Sequence, residues 1–303
     1  MGACGVFVRR WLDAAGIRDP LVRQCYVRCI RDVANQDGGN GRWWGLRSVP
    51  AGMRPYIAAM GAVSVEADRR ADTGPVEHRR WRLNEYVDAV LTAIAGEAGD
   101  PVLHAVAHMF RIYDVPLTVL TNMFEAMGQD IDCPEFATYD ELRQWARMQT
   151  GGAMLVMMIL LEGHEVTREL EPVLCEFGEL SQFMDNMADL ADDLGEGRLY
   201  LPLEDLDRFE VRAEDLVARR WTPGMAELIE FEVDRVTSRM PAVVAEIQRY
   251  TESLWPGAWA AHCELMLREV LADGPAVLER PSRARLADRL DIWLPVWRST
   301  VPY

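Results

Sequence analysis

The chain has 303 residues, half of them apolar, and a formal net charge of −16 at pH 7. A chain of this length can build one large core or two smaller ones, so its length leaves the number of domains open. Acidic side chains outnumber basic ones by 48 to 32, which argues against a nucleic-acid groove or an anionic membrane surface as the main partner. An acidic protein still binds anions when metal cations lie between the two.

Helical periodicity recurs along almost the whole chain, and no sustained period-2 alternation indicates strands. The sequence therefore predicts an all-α protein. Its predicted helices cover residues 3–15, 20–35, 52–72, 80–96, 101–111, 115–129, 139–162, 168–194, 223–252, 257–273 and 282–292. The Gly-rich stretches between helices are too short to be flexible linkers, so we predict a single domain over residues 1–303.

The sequence shows no targeting or membrane-spanning signal. Its six cysteines have neither Cys-x-x-Cys nor zinc-like spacing. The N-terminus lacks the pattern of a signal peptide, and the longest apolar run, residues 153–161, is about half as long as a bilayer-spanning helix. We therefore expect a cytoplasmic protein without a transmembrane segment.

Two pairs of aspartates stand out, each at the end of a predicted helix. Asp68 and Asp72 form the first pair, Asp189 and Asp193 form the second, and Asp185 lies one turn before the second pair. Side chains four residues apart leave the same face of a helix, where like charges repel. Either pair alone is read most simply as an exposed helix end. Both together, on helices with strongly apolar inner faces, favour a cation that neutralises them.

The chemistry of these side chains points to magnesium. Carboxylate oxygens are hard ligands, and Mg²⁺ prefers one or two of them together with the phosphate oxygens of a substrate. We predict that the two pairs face each other and hold Mg²⁺ ions around one diphosphate. The predicted catalytic residues are Asp68, Asp72, Asp189 and Asp193, and Asp185 joins them as a predicted metal ligand.

In order and spacing these motifs resemble the squalene/phytoene synthase family, over roughly residues 37–250. Val49-Pro50-x-x-x-Arg54 is similar to the family's Leu-Pro-x-x-x-Arg, and the first aspartate pair follows where the family has its own. The middle segment also matches, with Phe136 in place of the usual tyrosine. The strongest likeness is the block that runs from Gln182 through the second aspartate pair to Gly197-Arg198-Leu-Tyr200-Leu-Pro202.

The resemblance implies a single-domain isoprenoid synthase fold, a helical bundle around a central active-site cavity. It implies an enzyme, a Mg²⁺-dependent prenyltransferase whose substrate is an allylic prenyl diphosphate. It also assigns Arg54 and Arg198 as phosphate contacts, and Gln182 and Tyr200 as substrate-binding residues in the cavity wall.

The chain departs from the family pattern at positions that hold phosphate. The family has an arginine three residues before its first aspartate and another immediately before the second pair, where this chain has Val65 and Ala188. Asp185 replaces a family asparagine, and Gly41-Arg42 stands in place of a Ser-Phe pair. Head-to-head coupling of two prenyl diphosphates must hold both diphosphates, and each lost arginine removes a bidentate ligand.

These departures lead us to expect a prenyltransferase that uses an aromatic, carbazole-like small-molecule acceptor in natural-product biosynthesis. The alternative is a head-to-head synthase that condenses two prenyl diphosphates into a squalene- or phytoene-like hydrocarbon. A helical scaffold that keeps the fold without the chemistry is a third possibility, although the retained aspartate pairs argue against it.

Overall fold

The computed structural model describes residues 4–35, 46–47, 49–96, 99–162 and 166–299. Every regular element in these ranges is helical, which confirms the all-α prediction. Among the described helices, none combines the length and apolarity that crossing a membrane requires. Gly41-Arg42 and the Gly-rich loop around it lie outside the described residues. The elements are α1 (Cys4–Ala14), α2 (Pro20–Ala34), α3 (Arg54–Asp72), α4 (Val76–Ala95), α5 (Pro101–Tyr113), α6 (Thr118–Asp130), α7 (Tyr139–Ala146), a π-helical turn (Arg147–Gly151), α8 (Gly152–Glu162), α9 (Glu171–Ala188), α10 (Leu190–Gly195), α11 (Leu203–Arg208), α12 (Ala213–Val217), α13 (Pro223–Ile247), α14 (Trp255–Asp273), a 3₁₀ helix (Gly274–Leu278) and α15 (Leu286–Ser299).

Some predicted helices differ from the observed ones. The predicted helix over residues 168–194 is wrong in its continuity, because Asp189 adopts φ −104° and ψ 13° and separates α9 from α10. The predicted helix over residues 139–162 contains the π-helical turn between α7 and α8. The last helix, α15, begins and ends later than its predicted range. The short helices α11 and α12 are missing from the prediction, because five or six residues give too little periodicity to detect.

The described chain divides into two compact units. Unit 1 comprises Met1–Leu117, Val156–Glu165 and Trp293–Tyr303, and unit 2 comprises Thr118–Leu155 and Val166–Ile292. The single domain over residues 1–303 stays a prediction.

Unit 1 holds α3, the helix that carries the first aspartate pair, between α2, α4 and α5. Tyr26 and Tyr56 are its largest fully buried side chains, and their rings meet edge to face with centroids 5.4 Å apart. The Tyr26 hydroxyl donates to the carbonyl of Ala105 at 3.0 Å, and the Tyr56 hydroxyl donates to that of Ala15 at 3.0 Å. Both phenols therefore tie neighbouring elements to this core while burying most of their area.

Unit 2 is built around α9, which packs against α13, α14 and the π-helical turn. Small residues allow the closest of these contacts. A Cβ atom added to Gly178 would lie 2.7 Å from the Cα atom of Gly151 in the π-helical turn, which is closer than real Cβ contacts come. Along the rest of α9, apolar side chains such as Phe177 and Leu180 are buried. The second acidic motif therefore begins on a helix that is packed on several sides.

Candidate active site

The first acidic motif occupies the last turn of α3 in unit 1. Asp68 is half-buried and Asp72 is exposed, and they flank the buried Ala71. The arginines between the two aspartates, Arg69 and Arg70, both bind Glu66, at 2.6 Å and 2.8 Å. This local pairing directs the two guanidinium groups towards Glu66.

The second acidic motif spans the junction of α9 and α10 in unit 2. The distortion at Asp189 is small, since its N–H donates to the carbonyl of Asp185 at 2.9 Å and its carbonyl accepts from the N–H of Asp193 at 3.0 Å. The three aspartates therefore keep one-turn spacing across the break. Asp185 is exposed, whereas Asp189 and Asp193 are half-buried.

The carboxylates of the second motif influence one another. Burial, followed by the charge of Asp189, raises the pKa of Asp193 to about 7, while Arg198 opposes the shift. Arg198 returns to this position through the turn at Gly197, whose φ is +79°. Its backbone N–H donates to the carbonyl of Asp193 at 2.8 Å, and its side chain pairs with Glu196 at 3.0 Å. A local excess of negative charge is the setting in which a bound cation is stabilised.

Gln182 lies on α9 one turn before Asp185 and belongs to a chain of polar side chains. The Thr150 hydroxyl of the π-helical turn donates to its amide oxygen, and its amide nitrogen donates to Asn186 at 2.9 Å. The π-helical turn thus helps to fix the orientation of Gln182. Single π-helical turns inside α-helices occur frequently at functional sites.

Tyr200 belongs to a buried aromatic cluster in unit 2. Its ring stacks on Trp145 with centroids 4.5 Å apart and an interplanar angle of 18°. Phe136 lies 5.8 Å from Trp145, centroid to centroid. Burial, followed by the charge of Asp130, raises the pKa of Tyr200, so its phenol stays protonated. The cluster is a buried aromatic part of unit 2, and the motifs of the sequence include two of its members, Phe136 and Tyr200.

Arg54 begins α3 in unit 1 and binds backbone there. Its Nε atom donates to the carbonyl of Val49 at 2.9 Å, and one Nη atom donates to that of Arg47 at 3.3 Å. Its guanidinium also lies 4.9 Å from the ring centroid of Trp11. Burial, followed by the charge of Arg47, lowers the pKa of Arg54 to about 10. These contacts give Arg54 a part in fixing the entry to α3, and its role as a phosphate contact stays a prediction.

The predicted site residues thus fall into two groups. Asp185, Asp189 and Asp193 come together in unit 2 with Arg198, and Gln182 lies one turn earlier. Tyr200 belongs to the same unit. The unit 1 group consists of Asp68, Asp72 and Arg54. That the two acidic motifs face each other stays a prediction.

Arg283 is a charged residue of the site that no sequence motif predicts. Arg283 donates from Nη1 to the Oδ1 atom of Asp189. The residues differ by 94 in the numbering, and the run Ser-Arg-Ala-Arg that contains Arg283 carries no recognisable motif.

Carboxylate oxygens at one-turn spacing, partly open to solvent, fit a divalent cation. Within the described ranges, no group of three or more His, Cys, Asp or Glu side chains is arranged to hold a metal by itself. Magnesium prefers few protein ligands and completes its shell with phosphate oxygens and water. The Mg²⁺ ion and its ligands stay a prediction.

Comparison with solved structures defines the class of fold. The chain is similar to squalene synthase HpnC from Alicyclobacillus acidocaldarius, with a TM-score of 0.76 and 22% identity over 86% of this chain and 98% of that one. It is also similar to a dehydrosqualene synthase solved in complex with a ligand, with a TM-score of 0.80 and 17% identity over 93% of this chain and 99% of that one. At these identities the likeness establishes the helical fold of these synthases.

The particular family follows from the sequence. The profile of the squalene/phytoene synthase family matches residues 37–289, and the chain therefore belongs to this family. Its members are prenyltransferases, which confirms the predicted enzyme class.

Relatives of known sequence extend the comparison. The bifunctional protein CrtB/UppS of Streptomyces coelicolor is 28% identical over 208 residues, which cover 67% of this chain and 36% of that protein. The phytoene synthase of Mycobacterium tuberculosis is 26% identical over 211 residues, 68% of each chain. None of these relatives or neighbours bears a name that supports an aromatic acceptor.

Proposed function

We propose that the protein is a magnesium-dependent prenyltransferase that ionises an allylic prenyl diphosphate and condenses it head to head with a second one. The observation that carries this proposal is the second acidic motif, three aspartates at one-turn spacing beside Arg198, in a chain of the squalene/phytoene synthase family. The names of the relatives support head-to-head coupling better than the aromatic acceptor expected from the sequence.

The residues divide the chemistry among them. Asp185, Asp189 and Asp193 would hold magnesium in unit 2, and Asp68 and Asp72 are the further ligands that the sequence predicts. The metal would supply positive charge that stabilises the leaving diphosphate. Arg198 adds a fixed positive charge at the second motif.

The aromatic cluster of Phe136, Trp145 and Tyr200 excludes water from the allylic cation. Each aromatic face can stabilise such a cation by about 0.5–2 kcal/mol. Tyr200 contributes its ring in the protonated state, because its pKa is raised by burial.

A direct test uses prenyl diphosphate as the only organic substrate. The purified chain is incubated with Mg²⁺ and farnesyl or geranylgeranyl diphosphate, and the organic extract is analysed for a dimeric hydrocarbon. We expect such a product. Release of diphosphate without any coupled product would contradict head-to-head condensation. Failure to bind diphosphate in the presence of Mg²⁺ would contradict any prenyltransferase activity and favour a helical scaffold without catalytic function.

Prenyl transfer to an aromatic acceptor is the second candidate, and one observation favours it. The positions at which the family carries two phosphate-binding arginines hold Val65 and Ala188 here. Ala188 is 2% exposed, so its position lies within the packed part of α9. A site with fewer arginines holds one diphosphate more readily than two. A prenylated product that forms only when an indole or carbazole is added would support this candidate.

A further inference from the structure

A segment from the C-terminal part of unit 2 crosses the second acidic motif. We name residues 278–285, from the last residue of the 3₁₀ helix to the residue before α15, the strap. Arg219 donates to the carbonyls of Leu278 and Ala191 and so links the start of the strap to α10. The backbone N–H of Ser282 donates to the carbonyl of Ala188 at 2.7 Å. The strap is therefore attached on both sides of Asp189, at residues 188 and 191.

A second set of contacts fixes the strap to the end of α14. Ser282 is 0% exposed, and its hydroxyl donates to Asp273 at 2.8 Å. Arg280 pairs with the same carboxylate at 2.5 Å. A residue without solvent exposure that is hydrogen-bonded through both its N–H and its hydroxyl has little freedom to shift. The position of the next residue, Arg283, is consequently determined by the fold.

Arg283 directs its guanidinium to the first carboxylate of the second pair. Its Nη1 atom donates to Oδ1 of Asp189 and also to the carbonyl of Ser282 at 2.9 Å. The Arg283 side chain is 55% exposed and that of Asp189 is 34% exposed. Both charges are thus within reach of solvent ions, and the ion pair can open without unfolding its surroundings.

We infer that Arg283 is a resident counter-ion that a divalent cation must displace from Asp189. The guanidinium and the metal compete for the same carboxylate, so the metal binds weakly to the free enzyme. An incoming diphosphate carries negative charge that can bind both the metal ion and the guanidinium of Arg283. Metal and diphosphate therefore bind cooperatively. This inference rests on the proposed function, because it assumes that Asp189 is a metal ligand.

The arrangement has a chemical consequence for this chain. Ala188, immediately before Asp189, carries no charge, and Arg283 delivers a positive charge to Asp189 from the strap instead. Because the strap is anchored and the Arg283 side chain is long, the charge can leave Asp189 while the backbone stays in place. Tight metal binding would then depend on bound diphosphate, so the metal site would be filled mainly when substrate is present.

The test measures metal binding rather than turnover. Three purified full-length proteins are compared: the wild type, Arg283→Gln, and Arg285→Gln as a matched control. Arg285 lies on the same strap, is 83% exposed and pairs with Asp288 at 3.0 Å. Its replacement also removes one positive charge, but from a side chain that pairs with Asp288 and not with Asp189. Mn²⁺ is titrated calorimetrically into each protein, first alone and then in the presence of inorganic diphosphate.

We expect Arg283→Gln to bind Mn²⁺ alone roughly two- to tenfold more tightly than the wild type, because one solvent-accessible competing charge is gone. The gain in Mn²⁺ affinity that inorganic diphosphate brings should shrink by a similar factor. Arg285→Gln should match the wild type in both titrations. Circular dichroism should show the same helical content and melting profile for all three proteins.

The opposite results separate the two proposals. Equal Mn²⁺ affinity in the wild type and Arg283→Gln, with the diphosphate gain intact, would overturn the counter-ion role and leave the proposed function standing. Tighter Mn²⁺ binding in both variants would show a general charge effect and would also overturn that role. Absence of Mn²⁺ binding in every protein, even with diphosphate, would overturn both proposals.

Discussion

The two compact units bury different kinds of side chain. Among the described residues, the buried polar and charged side chains all belong to unit 2, and they are Asp130, Glu179, Ser181, Asn186, Asp205, Asp215, Glu232, Thr251 and Ser282. In the described part of unit 1, the buried residues are apolar or aromatic. Buried polar groups oppose folding unless partners satisfy them. Unit 2 therefore holds polar groups in fixed positions where unit 1 relies on apolar packing.

The two acidic helix ends repeat this contrast. On α3, the arginines near Asp68 pair with Glu66, their neighbour on the same helix. On α9 and α10, the carboxylate of Asp189 receives Arg283 from the distant strap. The arginines of the first end pair within α3, and Arg70 also contacts α4 through the carbonyl of Arg82 at 3.2 Å. At the second end the carboxylate itself is bound by a side chain 94 positions away. If both ends hold metal, their carboxylates are positioned for metal binding by different sets of contacts.

The largest expected effect comes from replacing one aspartate in each acidic motif, which tests whether both motifs are needed for catalysis. We expect Asp68→Ala and Asp189→Ala each to lower kcat by about a thousandfold or more, because each removes a ligand to the charge that stabilises the leaving diphosphate. Product formation under saturating substrate and Mg²⁺ measures the loss. Helical content, measured by circular dichroism, should stay unchanged.

Asp88→Ala is the control for these substitutions, because Asp88 is an exposed carboxylate on α4. It should retain the wild-type rate. Full activity in Asp68→Ala with loss in Asp189→Ala would show that only the acidic end of unit 2 takes part, and would contradict the two-motif site.

The next largest effect is on stability, and it compares a helical glycine in unit 2 with one in unit 1. A Cβ atom at Gly178 on α9 would meet the backbone of Gly151 at 2.7 Å, whereas one at Gly61 on α3 would meet only the Val33 side chain, at 3.3 Å. We expect Gly178→Ala to destabilise the protein by about 3 kcal/mol or more, because backbone cannot yield cheaply.

Gly61→Ala is the matched control, since alanine favours a helix over glycine by about 1 kcal/mol and this gain offsets a small side-chain adjustment. Its midpoint of thermal unfolding should lie near that of the wild type. Similar midpoints for both variants would show that the π-helical turn and α9 can move apart, and that unit 2 is less tightly packed than its geometry indicates.

The sequence predicts those features of the fold and site that depend on neighbours along the chain. Spacing of four residues finds both aspartate pairs, and apolar periodicity finds most of the helices. The helix break at Asp189 cannot be predicted from the periodicity, because Met187, Ala188 and Leu190 are all compatible with a continuous helix. Arg283 escapes it as well, since a contact over 94 residues exists only after the strap is anchored. The aromatic partner of Tyr200, Trp145, is likewise recognised only through stacking in the folded chain.

The smallest expected effect concerns one of the buried charges that distinguish unit 2. Glu232 on α13 pairs with Arg235 at 2.7 Å, and Arg235 also binds Asp205 at 2.8 Å. Burial is the main cause that raises the pKa of Glu232 to about 7, and the charge of Asp205 adds to it. A carboxyl group whose pKa is raised on folding stabilises the protein below its ordinary pKa. That contribution is lost as the pH rises from about 4.5 to about 7.

We therefore expect Glu232→Gln to remove a fall in stability of about 1–2 kcal/mol between pH 5 and pH 8, the amount that a shift of this direction and size supports after solvent relaxation. Urea unfolding at several pH values measures the free energy of unfolding of the variant and the wild type.

Glu246→Gln is the matched control, because Glu246 pairs with Arg249, three residues further along the chain, at 2.7 Å but lies at the surface. It should leave the pH dependence unchanged. A pH profile that is the same in Glu232→Gln and the wild type would mean that Arg235 keeps Glu232 ionised. Glu232 would then be held as a fixed ion pair with Arg235 throughout the range from pH 5 to pH 8.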